Sequence, residues 1–210
     1  EWHITPGVPG PEALAVVSRV AQEREIAIHL KLDSGMGRMG CVESDLPAVI
    51  EMIRSAPQLK IDALYTHFAN ASDPRDPMTQ QQLEKFDSMV ATLKEHGVTA
   101  PQHHAANSAA TMRSIVPGGY ARVGVALYGA ESLDDSLDGK SPRLGPVMRW
   151  RSEIARLKEV PAGATVGYGA TWRAERSSRI ATIPVGYADG YHRRLSNSGE
   201  MLVRGKRVPI

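Results

Sequence analysis

Up to Gly129, apolar residues recur at two different spacings, which predicts helices alternating with strands. A helical spacing is found in three segments, at 11–24, 45–55 and 79–96. Short apolar runs that are typical of strands lie at 26–33, 60–67, 101–106 and 120–123. A further helix should begin at Asn107 or Ser108. Because strands and helices alternate at intervals of roughly thirty residues, we predict βα units on a parallel sheet.

After Gly129 the pattern changes from alternation to short strands. Residues 131–146 are polar and rich in turn-forming residues, which predicts a linker. The runs beyond it are β-rich and are separated by turn signals, such as those at 161–163 and 204–206. We therefore expect an α/β unit followed by a β-rich domain.

Composition narrows the class of protein. The chain has 210 residues, 25 of them Lys or Arg and 23 Asp or Glu, which gives a net charge of +2. This small excess argues against a protein that binds nucleic acid or a membrane surface. A single cysteine, Cys41, excludes an intrachain disulfide framework and a cysteine-rich metal site, and we predict no metal. No apolar run approaches the ~20 residues of a transmembrane helix, and residues 1–10 lack the features of a signal peptide, so we expect a cytoplasmic protein.

Candidate chemistry lies directly after the predicted strands. In the glycine loop at 34–40, Arg38 is suited to clamp a carboxylate, although glycine spacing alone favours a surface arginine on a flexible turn. His67, at a strand end, is a candidate base or orienting group, or else a hydrogen-bonded core histidine. His103 and His104 are adjacent on a strand and should point to opposite faces, so they make a poor metal pair.

Two further segments are suited to bind an anion. Ser108, together with backbone N–H groups at a helix start, favours a group such as phosphate. Gly124 would let the backbone approach a ligand closely, and barrels often bind phosphate after their last strands. Arg122 lies beside it, and the pattern alone favours neither a contact with a ligand nor a pair with an acid.

In the β-rich half, two tyrosines lie beside glycines. Tyr168 stands between Gly167 and Gly169, and a similar pattern surrounds Tyr187. Each tyrosine is either an exposed phenol at a loop tip or an aromatic ring packed on the sheet. Asp189 is more typical of a turn than of a catalytic acid.

Six segments in one order resemble the alanine racemase family, whose members are enzymes that depend on pyridoxal 5'-phosphate (PLP). The segments are HLKLDSGMGRMG, YTHFANA, HHAANSAAT, ARVGVALYG, TVGYGATW and IPVGYADGYHRRLSN. Six segments are far more specific than any single glycine motif. The resemblance implies the later part of a TIM-type (β/α)8 barrel at 1–138, followed by the first part of a β-rich C-terminal domain at 142–210.

The resemblance also implies roles around the cofactor. Arg122 resembles the arginine that faces the pyridine nitrogen of PLP, and His67 resembles the histidine between that arginine and a catalytic tyrosine. Tyr168 resembles this tyrosine, which acts in the active site of the partner subunit. The positions that bind the phosphate of PLP correspond to Ser108, Gly124 and Val125.

On the substrate side, Arg38 resembles the arginine near the substrate carboxylate. Tyr187 matches a second tyrosine, which lines the substrate entrance. Lys31 lies where many members of the family carry a carbamylated lysine that bridges to the arginine of the glycine loop.

The chain departs from the family pattern near both ends. The lysine that carries PLP lies in an N-terminal stretch of the family, and nothing in this sequence corresponds to it. The chain also stops before the family's C-terminal strands. We therefore expect an internal fragment that is inactive alone and has open sheet edges where the barrel is incomplete.

The activity that the resemblance implies is PLP-dependent racemisation of L-alanine and D-alanine by two bases, which supplies D-alanine for peptidoglycan. The implied assembly is a homodimer with active sites shared between subunits. Alternatives are a broad-specificity amino-acid racemase of the same fold and a non-catalytic PLP-binding barrel. A phosphate-binding barrel of unrelated chemistry is a third, but it would leave the motifs of the β-rich half unexplained.

Overall fold

The computed structural model describes residues 4–22, 24–130 and 143–210. They form two compact units, one up to Met148 and one from Arg149 onwards. The predicted linker at 131–146 lies mostly outside the described residues. The predicted domain boundary, between 138 and 142, lies outside them as well and stays a prediction.

The first unit is built on a four-stranded parallel sheet in the order β1-β2-β3-β4. The strands are β1 (Gly7–Val8), β2 (Ile26–Lys31), β3 (Leu59–Tyr65) and β4 (Gln102–His104). The helices are α1 (Pro11–Val20), α2 (Leu46–Arg54), α3 (Met78–Glu95) and α4 (Ser108–Met112). Each strand pairs with the next one in sequence and a helix follows each, so the predicted βα units are confirmed. Strand β1 has no counterpart among the predicted strands, since two residues leave no periodic signal.

The helices bury one side of this sheet in an apolar core. In α3, Phe86, Met89 and Leu93 are spaced three and four residues apart, and each is at most 1% exposed. They lie in one cluster with Leu30 of β2 and Leu64 of β3. Complete burial of a side chain of this size stabilises a fold by roughly 1.5–3 kcal/mol. In the parts of the chain that the structure describes, no helix has the length and hydropathy needed to cross a membrane.

The opposite face of the sheet carries polar side chains. Lys31, Tyr65 and His104 lie in register across β2, β3 and β4. Alternate residues of a strand point to opposite faces, so this row lies on the side away from the helices. His103 shows the alternation directly, since its ring lies 6.1 Å from that of Phe86 on the helix side. The predicted separation of the two adjacent histidines is therefore confirmed.

The prediction of a strand at 120–123 is wrong. The chain makes a single parallel bridge there, from Ala121 to Ala106, and then turns into a 3-10 helix at Val125–Tyr128. In the turn just before it, Gly118 has φ +73, and a Cβ would lie 1.7 Å from a carbonyl oxygen of β4. Close backbone packing before this segment and a helical turn after it leave room for one bridge and not for a ladder.

The second unit is β-rich, as predicted, and its strands form three antiparallel pairs. The pairs are β5 (Arg156–Val160) with β8 (Ser178–Thr182), β6 (Thr165–Val166) with β7 (Trp172–Arg173), and β9 (Glu200–Val203) with β10 (Lys206–Pro209). The predicted turn at 204–206 joins β9 to β10, with positive φ at Arg204 and Gly205. Within residues 149–210, all of which the structure describes, Val160 and Ala174 are the only buried hydrophobic residues.

Candidate active site

Arg122 lies at the centre of the polar face, where its guanidinium joins separate segments of the chain. Nη2 donates to the carbonyl oxygens of Thr66 (2.6 Å) and Ala105 (3.3 Å) and to Nδ1 of His67 (3.2 Å). Nη1 donates to Nδ1 of His104. Among the described residues, its hydrogen-bond partners are carbonyl oxygens and imidazoles and not carboxylates. The sequence left two possibilities for Arg122, a contact with a ligand or a pair with an acidic side chain. The pair with an acidic side chain is not observed among the described residues.

These contacts determine the hydrogen positions on both histidines. A guanidinium only donates, so Nδ1 of His67 and Nδ1 of His104 must each accept, and each neutral ring carries its hydrogen on Nε2. Burial and then the positive charge of Arg122 lower the pKa of His67, and they lower the pKa of His104 to about 4. Both rings are therefore mainly neutral near pH 7 and present Nε2–H as a donor.

The charge of Arg122 is stabilised by an aromatic ring. Its Cζ lies 5.2 Å from the ring centroid of Tyr65, which is a cation–π distance. The same ring is stacked on His104, with 4.9 Å between centroids and an interplanar angle of 13°. Burial lowers the pKa of Arg122, but a guanidinium starts so high that it stays protonated. Arg122 is therefore a charged donor with a defined orientation.

Ser108 begins α4, and its hydroxyl lies among backbone N–H groups of a later loop. Oγ accepts from the N–H of Gly124 (2.9 Å) and from that of Ala126 (3.4 Å). Asn107 caps the helix, since its Oδ1 accepts from the N–H of Ala110 (3.0 Å). The predicted helix start is confirmed. Because Oγ accepts from these two N–H groups, the hydroxyl hydrogen of Ser108 is left to donate, and an anion such as phosphate can accept it.

A single cavity of about 330 Å³ is lined by all five of the predicted cofactor residues. Its lining includes His67, Asn107, Ser108, Arg122, Gly124 and Val125. The volume is in the range of small-molecule sites, ~300–1,000 Å³. The residues follow β3 and β4, and a barrel places its active-site loops at these carboxyl ends of the strands. The topology therefore explains why residues distant in sequence meet.

The glycine loop after β2 is held by hydrogen bonds and is not the flexible turn that glycine spacing alone favoured. Asp33 is buried, and its Oδ1 accepts from the N–H of Gly35 (2.9 Å) and of Gly37 (3.1 Å). At Gly40 φ is +129, and a Cβ would lie 2.7 Å from the backbone nitrogen of Asp33, so this position requires glycine. Arg38 is exposed on this loop, and its role in substrate binding stays a prediction.

Lys31 is buried at the end of β2. Burial and then the positive charge of Arg38 lower its pKa, while the charge of Asp33 acts in the opposite direction. A lowered pKa increases the fraction of neutral amine, which is the form that reacts with carbon dioxide. The surroundings of Lys31 fit the expected carbamylation, which stays a prediction.

The two candidate tyrosines lie in the second unit, and both are exposed. Tyr168 is fully exposed between Gly167 and Gly169, whose φ angles are +84 and +74. The alternative of a ring packed on the sheet is therefore wrong for Tyr168 within the described residues. Tyr187 is 72% exposed. Asp189 beside it accepts a backbone N–H across the turn (2.9 Å), which confirms the predicted turn.

Three residues that position the site were not predicted from the sequence. His104 orients Arg122, although its sequence neighbourhood suggested only a poor metal pair. Asp33 holds the glycine loop, and an aspartate before glycines is a detectable turn signal. Gln82, on α3, is 2% exposed; it accepts from the N–H of Ala69 (2.8 Å) and donates to the carbonyl of His67 (3.0 Å). A buried glutamine on a helix has no such signal.

The parallel sheet, the helices on one face and the donors gathered after the strands define a βα protein with a site suited to a phosphorylated ligand. Two family models match this chain. The model described as alanine racemase, N-terminal domain, matches residues 1–132, and the model described as alanine racemase, C-terminal domain, matches residues 147–210. The chain belongs to the alanine racemase family. The resemblance seen in the sequence is confirmed, and with it the fold class.

Individual relatives agree with this assignment. The alanine racemase of Sorangium cellulosum is 43% identical over 202 residues, which make up 95% of this chain and 52% of the relative. Alanine racemase 2 of Bacillus subtilis is 37% identical over 202 residues, with 95% and 51% covered. The crystal structure of the Bacillus anthracis alanine racemase with bound L-Ala-P has a TM-score of 0.85 at 33% identity, over 97% of this chain and 53% of that one. The chain thus spans about half the length of the relatives it matches.

Proposed function

We propose that the full-length protein interconverts L-alanine and D-alanine with PLP as its cofactor. The observation that carries this proposal is the cavity where Arg122, His67 and the donors around Ser108 meet. Membership of the family supports it, as do the names of the Sorangium cellulosum and Bacillus subtilis relatives and the L-Ala-P in the Bacillus anthracis structure. A non-catalytic PLP-binding barrel is less favoured, because residues 147–210 match the family's C-terminal domain.

The residues present fit PLP at both of its polar ends. The hydroxyl hydrogen of Ser108 would donate to the phosphate, while the N–H groups of Gly124 and Ala126 hold Oγ in place. The backbone of Gly124 and Val125 would lie beside the phosphate. A Cβ at Gly124 would meet no atom within 4 Å, so the backbone there is open to a ligand. Arg122 would face the pyridine nitrogen through Nε–H, since its described contacts use Nη1 and Nη2. When bound, PLP withdraws electrons from the substrate Cα and so makes its proton removable.

Arg122 would tune the cofactor because it can only donate. A guanidinium keeps its protons and has no acceptor, so a ring nitrogen that faces it stays unprotonated. An unprotonated ring withdraws electrons less strongly, which disfavours transamination and other side reactions. The bonds to Thr66, His67 and His104 hold the guanidinium in the orientation that this role needs.

Tyr168 would be one of the two bases and would act in the active site of the partner subunit. A free phenol has a pKa near 10, so only about one in a thousand is ionised at pH 7. Lowering that pKa to about 7 requires roughly 4 kcal/mol of stabilisation of the phenolate. Nε2–H of neutral His67 is a donor suited to the phenolate oxygen, and Arg38 would add positive charge. The exposure of Tyr168 supports this role, since packing within the described residues does not occupy its hydroxyl.

On the substrate side, Arg38 would bind the carboxylate of alanine, and Tyr187 would line the entrance. Lys31, once carbamylated, would carry a negative charge that holds Arg38 in place. The remaining parts of the proposal are a homodimer with shared active sites, a cytoplasmic location and a supply of D-alanine for peptidoglycan. The domains are proposed at 1–138 and 142–210.

A racemisation assay of the full-length protein tests the proposal. We expect D-alanine to form from L-alanine when PLP is present, and an absorbance band of bound PLP. Tyr168→Phe should lower turnover by about 10²–10⁴-fold, because it removes a proton-transfer group. The matched control, Tyr128→Phe, also removes the hydroxyl of an exposed tyrosine, at a residue with no assigned role, and should retain most of the turnover.

Other outcomes separate the alternatives. Equal turnover of serine or lysine would favour a broad-specificity racemase. Binding of PLP without turnover of any amino acid would favour a non-catalytic barrel. Absence of both binding and turnover would overturn the proposed function.

A further inference from the structure

A second histidine lies behind His104 and is not used by the proposed mechanism. His29 is on β2, and its Nδ1 lies 3.3 Å from Nε2 of His104. The two rings are 5.2 Å apart between centroids, at an interplanar angle of 60°. On its other side, His104 accepts from Arg122. The three side chains therefore form a line that ends at the cavity of the candidate active site.

The hydrogen bonds of this line have one consistent direction. Arg122 donates to Nδ1 of His104, so the hydrogen of that neutral ring is on Nε2. Nε2–H of His104 must then donate to Nδ1 of His29, which places the hydrogen of His29 on its own Nε2. If His104 carried its hydrogen on Nδ1 instead, two donors would meet at Arg122, and the bond to His29 would form only if His29 moved its own hydrogen to Nδ1. Arg122 therefore excludes the Nδ1–H tautomer of His104, and His29, as an acceptor, stabilises the Nε2–H tautomer.

Aromatic rings keep the imidazole of His104 in the plane that this arrangement requires. Tyr65 is stacked on it, and Tyr120 meets it edge-on with 6.0 Å between centroids. The ring of Tyr65 also lies 6.5 Å from that of His29. Within the described residues, the titratable groups that face His104 are Arg122, His29, Tyr65 and Tyr120, and His103 acts on it only through charge, from the opposite face.

We propose that His29 is a positioning residue of the active site, which accepts from Nε2–H of His104 and so keeps Nδ1 of His104 free to receive Arg122. His29 acts through His104 and not on the ligand. The proposal rests on the proposed function for the use that the enzyme makes of Arg122. The tautomer of His104, by contrast, is a property of this chain that can be measured without substrate.

Two variants separate the hydrogen bond from packing. His29→Phe keeps a ring beside Tyr65 but removes the acceptor. His29→Asn is smaller, but its Oδ1 takes about the position of Nδ1 and keeps the acceptor. A role in packing alone predicts that Asn is the more harmful replacement, whereas a role as acceptor predicts that Phe is. If His29→Phe does not fold, His29→Leu replaces it with the same criteria.

The first measurement is ¹⁵N NMR of the histidine rings in the full-length protein at neutral pH, without PLP. We expect His104 to carry its hydrogen on Nε2 in the unchanged protein and in His29→Asn. In His29→Phe, a measurable share of His104 should carry it on Nδ1. The same tautomer in all three proteins would overturn the proposal, and this result does not depend on whether the protein is a racemase.

The second measurement is the steady-state rate of alanine racemisation. His29→Phe should lower kcat by about three- to tenfold, which corresponds to one neutral hydrogen bond, with little change in KM. His29→Asn should retain kcat within about twofold. Equal loss in both variants, or a greater loss in His29→Asn, would overturn the proposal in favour of packing. Absence of activity in the unchanged protein would refute the proposed function and leave the NMR result to decide this one.

Discussion

The two units of the chain differ in how much apolar surface they bury. All the buried hydrophobic residues that the structure describes, except Val160 and Ala174, belong to the first unit. In the second unit, Leu157 and Leu202 are 57% and 70% exposed. A parallel sheet covered by helices encloses a core, whereas sheets of two strands are too small to do so. The first unit is therefore stabilised by its own interior, and the second has little interior of its own.

The same contrast applies to the functional side chains. Arg122 and His104 in the first unit are held by several hydrogen bonds and by stacked rings. Tyr168 and Tyr187 in the second unit stand on short turns and face solvent. One unit thus positions its groups through a packed framework, and the other presents its phenols at loop tips.

The largest expected effect is the loss of an aromatic ring from the core of the first unit. Phe86→Ala should lower the free energy of unfolding by about 3–5 kcal/mol, because it leaves a cavity in a packed interior. The matched change in the second unit, Leu202→Ala, should change it by no more than about 0.5 kcal/mol. Urea unfolding of both variants measures the difference. A loss of several kcal/mol from Leu202→Ala would show that the second unit has a core after all.

The next effect compares two glycines with positive φ, one in each unit. Gly40→Ala should cost roughly 2–4 kcal/mol, because the backbone of Asp33 obstructs the Cβ and φ is unfavourable. Gly163→Ala has nothing within 4 Å of the Cβ, so only the strain of φ +85 remains, at about 1–2 kcal/mol. Thermal unfolding of the two variants gives both values. Equal costs would mean that close packing around the glycine loop contributes nothing.

A third effect concerns pH and should be confined to the first unit. The pKa of folded His104 is lowered to about 4 from an ordinary value of 6.5. Below pH 6.5 the imidazole of His104 becomes protonated in the unfolded chain but stays neutral in the folded chain. The free energy of unfolding should therefore fall as the pH drops towards 4. The slope from one such group is at most on the order of 1 kcal/mol per pH unit. His67, whose pKa is also lowered, should add to it.

Urea unfolding between pH 7 and 4 measures this slope. The matched variant His104→Gln removes the titrating group and should make the decline shallower. An unchanged slope in His104→Gln would show that His104 takes up its proton equally in the folded and unfolded chain.

The smallest effect concerns surface ion pairs, in which the two units should not differ. Arg207 pairs with Glu200 at 2.7 Å in the second unit, and Lys85 pairs with Glu43 at 3.5 Å in the first; all four side chains are well exposed. Glu200→Gln and Glu43→Gln should each cost less than about 1 kcal/mol, and less still in high salt. Chemical unfolding at two salt concentrations tests this. A clearly larger cost in one unit would mean that its surface charges compensate for a missing core.

The helices and strands that were best predicted from the sequence are those in which buried and exposed residues alternate regularly. The segments now seen as β2, β3 and α2–α4 were all predicted within a few residues, since the contrast between a buried and an exposed face leaves a repeat in the chain. The predicted strand at 120–123 failed because backbone packing at Gly118, and not side-chain burial, decides that segment. The extent of the strands in the second unit was equally hard to predict, because exposed strands have no apolar repeat.

The site was predictable as a set of residues but not as an arrangement. The resemblance to the family identified Arg122, His67 and Ser108. It did not reveal that Arg122 contacts residues 18 and 56 positions away. Such contacts depend on how neighbouring strands align in the sheet, and no local pattern records that alignment. His29 and His104 are therefore visible as partners only in three dimensions.

The amide of Gln82 has a consequence for motion in the molecule. It links α3, the longest helix that the structure describes in the first unit, to the N–H of Ala69 and the carbonyl oxygen of His67. A leucine there would suit a helix equally well, but it would remove both of these hydrogen bonds. With glutamine, the segment that bears the His67 imidazole is tethered to a helix of eighteen residues, which restricts its displacement from that helix. The imidazole of His67 is therefore held in position by a long helix, although it lies on a loop.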